Sequence, residues 1–251
     1  MDSLFVYPVL FLAALIAGWI DSIAGGGGLI TLPALLAAGL PPHLALGTNK
    51  LQSTFGSFTA TANNYRRGII KLGGAVWGIV CTAIGAALGA YVVQILESEF
   101  LERIIPFLLF AILVYFVFSP RLSDHDKSAK IPSRIFYFVC GLALGFYDGF
   151  FGPGTGSFWV FLFVSMLGYN LTRATGYTKL MNFTSNIISL IAFTFGGNIS
   201  IKVGLIMGAG QMIGAYVGSH MAIRNGARFI RPVLVVVVFA TTVKLFIDYF
   251  K

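Results

Sequence analysis

Two aspartates and two lysines carry most of the chemistry open to this 251-residue chain, because all four sit inside otherwise apolar stretches. Asp21 lies in IAGWIDSIAGGGG and Asp148 in LGFYDGFFGPGTG; Lys50 lies in ALGTNKLQS and Lys179 in TGYTKLMN. The aspartates are 127 positions apart and the lysines 129. A charge in hydrocarbon costs several kcal/mol on most scales and is rarely incidental. Here each half of the chain places the same charges in the same order. That implies a duplicated membrane unit with a polar site between its halves.

Glycine runs follow both aspartates. The apolar stretch 29–40 has 12 residues, which as a helix covers only ~18 Å of a ~30 Å hydrocarbon core. Pro41-Pro42-His43 marks its outer end, so Gly25, Gly26, Gly27 and Gly28 fall toward mid-depth. Irregular backbone is tolerated there only beside protein or a water-filled cavity. It leaves the first N–H groups of the next helix unpaired, and these suit an anion. Gly152-Pro-Gly-Thr-Gly156, with Gly154 and Thr155, repeats the arrangement. Glycine alone would indicate close helix packing. A glycine run beside an intramembrane aspartate in both halves favours a broken helix.

Lys50 opens a helix whose same face carries Ser53, Thr54, Ser57 and Thr61; Lys179 is followed at i+3 and i+7 by Asn182 and Asn186. These are polar stripes at helical spacing. They fit a hydrophilic path with a cation at each mouth, or interhelical hydrogen bonds that glue the bundle. For the serines and threonines the two readings weigh equally. The lysines favour function, because a desolvated ammonium must find an anion, a carboxylate or carbonyls. Gly85/Gly89 and Gly210/Gly214/Gly218 are different: small residues four apart let helices approach, and packing is the better account.

The elements that position these residues follow from composition. The chain is 57% hydrophobic and 10% charged, with mean hydropathy +0.86. A soluble domain of this length could not hide that much apolar surface, so the fold class is an all-α polytopic membrane protein. Its first apolar stretch lacks a basic leader and reads as a mature membrane helix rather than a signal peptide. Ten apolar segments are expected, near 4–22, 29–40, 44–64, 70–95, 104–118, 135–150, 156–169, 174–195, 199–223 and 229–247. The hydrophilic stretch 121–134 then divides a first membrane repeat, 1–120, from a second, 135–251. Asp21-Ser-Ile-Ala-Gly-Gly-Gly matches Asp148-Gly-Phe-Phe-Gly-Pro-Gly, and Gly47-Thr-Asn-Lys-Leu matches Gly176-Tyr-Thr-Lys-Leu. Gly85-Ala-Ala-Leu-Gly-Ala-Tyr91 matches Gly210-Gln-Met-Ile-Gly-Ala-Tyr216. Five segments per repeat is an odd number, so the second repeat enters the membrane inverted.

Loop charges bear on this count. Ten crossings put Arg66, Arg67, Lys71, Arg121, Lys127, Lys130, Arg134, Arg173, Arg224, Arg228 and Arg231 on one side. The other side receives Arg103, Lys202, Lys244 and Lys251, and eleven against four is a positive-inside bias. Making the two short segments re-entrant would move Arg224–Arg231 to the wrong side, so both termini are expected outside the cytoplasm. Placed in short loops, the net charge of +8 needs no nucleic acid. Cys81 and Cys140 read as small buried residues, and His43, His125 and His220 have no metal-binding spacing. With no Walker A sequence and no Ser/His/Asp, HExxH or paired-Cys constellation, neither an enzyme, a cofactor nor a metal is expected.

Counting ~1.5 Å per residue from the segment ends puts Lys50 at roughly 9 Å and Asp148 at roughly 10 Å from the outer face. Lys179 comes out at roughly 9 Å and Asp21 at roughly 5 Å from the inner face. Each lysine therefore lies near the depth of the other half's aspartate, and the expected pairs are Asp148 with Lys50 and Asp21 with Lys179, closing the two ends of one pathway.

The motifs Asp21-Ser-Ile-Ala-Gly-Gly-Gly-Gly-Leu-Ile-Thr-Leu-Pro33 and Leu46-Gly-Thr-Asn-Lys50, with weaker copies from Asp148 and Gly176, resemble the TauE/SafE-type sulfite exporter family, also called the sulfonate uptake permease family. The resemblance extends over nearly the whole chain. It implies a multi-pass transporter of the bacterial inner membrane, with sulfur-containing anions such as sulfite and sulfonates as the associated cargo. The resulting expectation is a secondary transporter of small anions. Lys50 and Lys179 attract the anion, helped by Thr48, Asn49, Ser53, Thr178, Asn182, Asn186 and the glycine-run N–H groups. Asp21 and Asp148 pair the lysines in the empty site and carry protons as coupling ion. Partners are the substrate and the lipid bilayer, with self-association into a homo-oligomer a further expectation. Three other readings stand beside it. An anion channel would use the same path without saturation or coupling to a proton gradient. A membrane subunit assisting a soluble enzyme of sulfur metabolism would need a large docking domain, where the chain offers short loops. An intramembrane enzyme lacks its constellation.

Overall fold

A computed structural model describes residues 5–118 and 125–225, and among these every regular element is helical. In chain order they are α1 (Val6–Ala24), α2 (Gly28–Ala37), α3 (Pro42–Arg66), α4 (Val76–Ile95) and α5 (Ser98–Phe118). Then come α6 (Ser133–Phe136), a π-helical turn over Tyr137–Gly141, α7 (Leu142–Phe150), α8 (Thr155–Met166), α9 (Leu171–Phe195) and α10 (Ile201–Asn225). Sequence segments 4–22 through 199–223 each find a helix, most within a few residues of their expected bounds; α4 starts six residues after the expected 70 and α5 six before the expected 104. Segment 229–247, and with it Arg121, Arg228, Arg231, Lys244 and Lys251, lies outside the described residues.

Local sequence explains the breaks. Pro42 occupies the start of α3, where its missing N–H costs nothing. The α3 helix therefore begins eight residues before Lys50, which sits in its interior rather than opening it. Asn170 caps α9 by accepting from Arg173 N–H at 2.9 Å. At the end of α1 the chain turns through Gly25 at φ +76°, a left-handed conformation that side chains rarely adopt.

Among the described residues, three helices are long and apolar enough to cross a bilayer, within Val6–Ile23, Leu72–Ile95 and Ile201–Met221. The exposed face of α4 shows why: Val76, Val80, Ile84 and Leu88, one helical turn apart, point outward. In water this would be an unpaired apolar surface; in hydrocarbon it is the solvent-matched face. The α3 and α9 helices, at 25 residues each, are also long enough, but they carry the lysines and the polar stripes. They are buried at the centre, antiparallel to each other: Gly47 lies against Phe193 and Asn198, and Gly176 against Asn64 and Ile69.

The remaining contacts come in exchanged pairs. The α1 and α10 helices pack along their length in the same direction, with Lys202 over the Tyr7 ring, Gly210 against Phe11 and Gly218 against Trp19. The α4 and α7 helices do the same, with Gly85 against Gly145 and Gly89 against Phe150. The α10 helix also runs parallel to α3, where Gly204 meets Leu51 and Asn63 donates to Ser219 at 2.8 Å. The α4 helix likewise runs parallel to α9, where Gly78 meets Met181 and Gln94 accepts from Asn198. Two parallel trios, α1/α3/α10 and α4/α7/α9, thus meet antiparallel across α3 and α9. The small-residue spacings on α4 and α10 are packing surfaces, each against the opening helix of the other half of the chain.

Candidate functional site

Lys50 Nζ lies 2.7 Å from Asp148 Oδ1, and Lys179 Nζ lies 2.9 Å from Asp21 Oδ2. Those are the partners that the depth count pairs. Lys50 is 1% exposed and Lys179 0%, so both ammonium groups are cut off from water. Each lysine also donates to the backbone carbonyl of its own aspartate. Asp21 is in the last turn of α1 and Asp148 in the last turn of α7, so each ammonium rests on the negative end of a helix that stops inside the protein.

The two glycine runs meet. A Cβ on Gly25 would fall 2.6 Å from the Gly156 carbonyl carbon, and one on Gly28 would fall 3.2 Å from Pro153 Cα. The breaks after α1 and after α7 therefore touch through backbone, and only glycine permits it at Gly25, where the left-handed φ adds to the lack of space.

Their amides are used differently from the sequence expectation. Gly26 N–H and Gly27 N–H donate to Asp21 Oδ1 at 3.0 and 3.1 Å, so the start of α2 already holds an anion, the protein's own carboxylate. Around Asp148 the second carboxylate oxygen instead accepts from Ser185 Oγ on α9. The halves thus share the lysine contact and differ in what else holds the carboxylate.

A cavity of about 30 Å³ lies at this junction, room for a few water-sized groups. Asp21, Lys50 and Asp148 line it, with Asn49 and Ser53 of α3 and Asn182 and Asn186 of α9. Gly26, Gly28, Gly154 and Thr155 complete the lining expected from sequence. Both carboxylates face one chamber, where the sequence reading placed a pair at each end of a path.

Other expected residues take other places. Thr48 accepts from Ser200 N–H at 2.9 Å, just before α10. Thr178 is fully buried, and its hydroxyl has no partner among the described residues. Along the α3 stripe, Thr54 donates to the Lys50 carbonyl at 2.8 Å and Ser57 to the Ser53 carbonyl at 2.7 Å. These hydroxyls are satisfied within their own helix and neither glue helices nor point to a path.

Three polar residues at the site escaped the sequence reading. Gln211 of α10 lines the cavity, and its buried Oε1 has no partner among the described residues. Gln52 donates to Asn49 Oδ1 at 2.8 Å and Thr31 Oγ1 at 3.1 Å, and Thr31 donates to Asn49 at 2.6 Å, which ties α2 to α3. Ser185 holds Asp148. The only signal for Gln211 was a lone amide in the apolar run GLIMGAGQMIGAY. Among the described residues no cluster of His, Cys, Asp or Glu could hold a metal ion, and Cys81 and Cys140 are free and buried.

Comparison with known proteins agrees with the architecture. A model of the sulfite exporter TauE/SafE family matches residues 10–245. A probable membrane transporter protein, ORF9, of Sinorhizobium sp is 47% identical over 239 residues, 95% of this chain and 92% of that protein. The probable membrane transporter protein YfcA of Escherichia coli K12 is 43% identical over 248 residues, 99% of this chain and 92% of its own length. The probable membrane transporter protein YdhB of Bacillus subtilis is 28% identical over 218 residues, covering 84% of this chain and 86% of that one. No solved structure matches the chain.

Proposed function

This chain belongs to the sulfite exporter TauE/SafE family, and on that footing we propose that it is a secondary transporter of small anions, of the sulfur oxyanion and organosulfonate class, acting by alternating access in the bacterial inner membrane. The coarser statement, a multi-pass membrane transporter, follows from its relatives and its apolar helices. The observation that carries the finer one is a single polar cavity lined by Lys50, by both aspartates and by both helix breaks, with Lys179 bonded to Asp21 outside the lining.

An anion reaching the cavity competes with the carboxylates for Lys50 and Lys179. Drawing a lysine away loosens a contact between the halves of the chain, because Lys50 on α3 holds α7 and Lys179 on α9 holds α1. Binding is thereby coupled to relative movement of the two trios, each of which mixes helices of both halves, and such rocking of one bundle against the other is what alternating access requires. The trios run in opposite directions and exchange equivalent helices, which supports two repeats of opposite orientation, 1–120 and 135–251. Reporter fusions after Phe118 should accordingly place the 121–134 loop in the cytoplasm, and C-terminal fusions should report the periplasm. A cytoplasmic C-terminus would overturn the five-plus-five arrangement.

Substrate class is tested by thermal shift of the purified protein against sulfite, thiosulfate, sulfoacetate and taurine. A ligand that binds only the folded state stabilises it by about 2.7 kcal/mol at 100 times its Kd. At least one of the four should raise the melting temperature saturably. No shift with any of them, beside intact folded protein, would remove the sulfur anions from the proposal.

A further inference from the structure

We infer, building on the transporter reading above, that each anion crosses with one proton, and that Asp148 rather than Asp21 carries it. The charge balance comes first. Lys50 with Asp148 and Lys179 with Asp21 form two closed pairs whose charges cancel; Lys50 and both aspartates line the cavity, Lys179 is bonded to Asp21 outside the lining, and the other described lining residues are glycines and neutral amides or hydroxyls. A monoanion added to this chamber leaves it one negative charge in excess. An uncompensated buried charge is expensive, and protonating a carboxylate is the direct way to remove it.

The two aspartates are not equally able to accept that proton. Asp21 Oδ1 takes N–H groups from Gly26 and Gly27, fixed by the left-handed turn at Gly25. These donors stay in place when Lys179 moves, and as fixed backbone N–H groups they go on compensating the carboxylate's charge without it. Among the described residues Asp148 has only Lys50 and the Ser185 hydroxyl. A hydroxyl rotor serves either protonation state. It donates to the carboxylate when Asp148 is charged. When Asp148 is protonated it accepts, and its own hydrogen can turn to the Met181 carbonyl at 3.2 Å or the Asn182 carbonyl at 3.1 Å. Asp148 is 3% exposed, so its proton exchanges through the chamber.

The surroundings add no rival. Facing Asp148, α3 presents Lys50 and α9 presents Ser185; α4 and α8 contain no Asp, Glu, Lys or Arg, and the α4 thiol Cys81 lies against Gly141. Tyr147, beside it in α7, donates to the Pro153 carbonyl at 2.6 Å. Across the chamber, Asp21 of α1 is held by Lys179 of α9. The proton thus comes from the solution on the side where the anion binds and sits on an Asp148 carboxylate oxygen. Lys50 turns to the anion, both leave on the far side, and Lys50 closes on Asp148 again.

The test uses the purified full-length protein and has two arms. In infrared spectra, Lys50→Met should produce the carbonyl band of a protonated buried carboxyl, which Lys50→Met/Asp148→Asn abolishes. Lys179→Met should produce none. A band in Lys179→Met that Asp21→Asn removes, or no band in Lys50→Met, overturns the assignment. The second arm titrates wild-type protein with methanesulfonate, which, unlike sulfite, does not titrate near neutrality, in buffers of different ionisation enthalpy. About one proton should be taken up per ion bound. Binding without proton uptake overturns the coupling. If no sulfur oxyanion or sulfonate binds at all, the substrate class proposed above fails, while the infrared arm still decides for or against Asp148.

Discussion

Asp148→Asn is expected to lower the yield of folded protein sharply, and adding Lys50→Met is expected to restore much of it. Asparagine keeps the shape of the side chain and most of its hydrogen bonding, so what it removes is the charge. Lys50, 1% exposed, is then left with neutral acceptors, chiefly the carbonyl of residue 148. Breaking a buried pair from one side costs about 3–5 kcal/mol, whereas replacing both members by neutral groups of similar size is often tolerated. Measured by size-exclusion fluorescence of detergent-solubilised protein, the single variant should lose most of its monodisperse peak and the double variant should regain it. Lys179→Met should not rescue, because Lys179 is bonded to Asp21. Rescue by Lys179→Met in place of Lys50→Met would contradict the cross-paired geometry on which the site rests.

That the pairing could be read from sequence has a simple cause. Helical rise is nearly constant, so distance along a membrane helix is distance into the membrane, and a charge must meet its partner at its own depth. The same constancy made the 12-residue stretch 29–40 too short for an uninterrupted span and exposed the break at Gly25–Gly28. What stayed hidden depends on other kinds of information. Periodicity ranks residues on one helix and says nothing of which neighbouring helix faces them, so Ser185 and Gln211 were missed. The α3 hydroxyls fit a polar path by spacing, yet Thr54 and Ser57 bond back to their own helix, a local competition that spacing cannot reveal. Asp21 as the anion at the start of α2 needed the left-handed turn at Gly25, since only that turn brings the two following amides back to the carboxylate. The π-helical turn at Tyr137–Gly141 leaves no compositional trace at all.

Transport is expected to fall by at least about 100-fold when either lysine is replaced by methionine, since a desolvated charge contact is worth about 3 kcal/mol or more. Methionine retains the length and apolar stem of lysine, so packing in α3 or α9 is largely kept while the ammonium is lost. Folding must be separated from function here, and the rescue pair does so. Lys50→Met/Asp148→Asn should regain much of the wild-type yield as monodisperse protein and still fail to move a sulfonate into proteoliposomes. The fold needs the two charges to cancel, whereas the anion needs the positive one to be present. Lys50→Arg should recover only part of the rate. A planar, rigid guanidinium cannot swing as a compact point charge between the Asp148 carboxylate, its backbone carbonyl and an incoming anion. The Lys179 site should respond alike, with Asp21→Asn as the compensating change. Near wild-type flux through a well-folded variant carrying methionine at both positions would mean that neither lysine touches the anion, and that the paired charges serve only to lock α3 to α7 and α9 to α1.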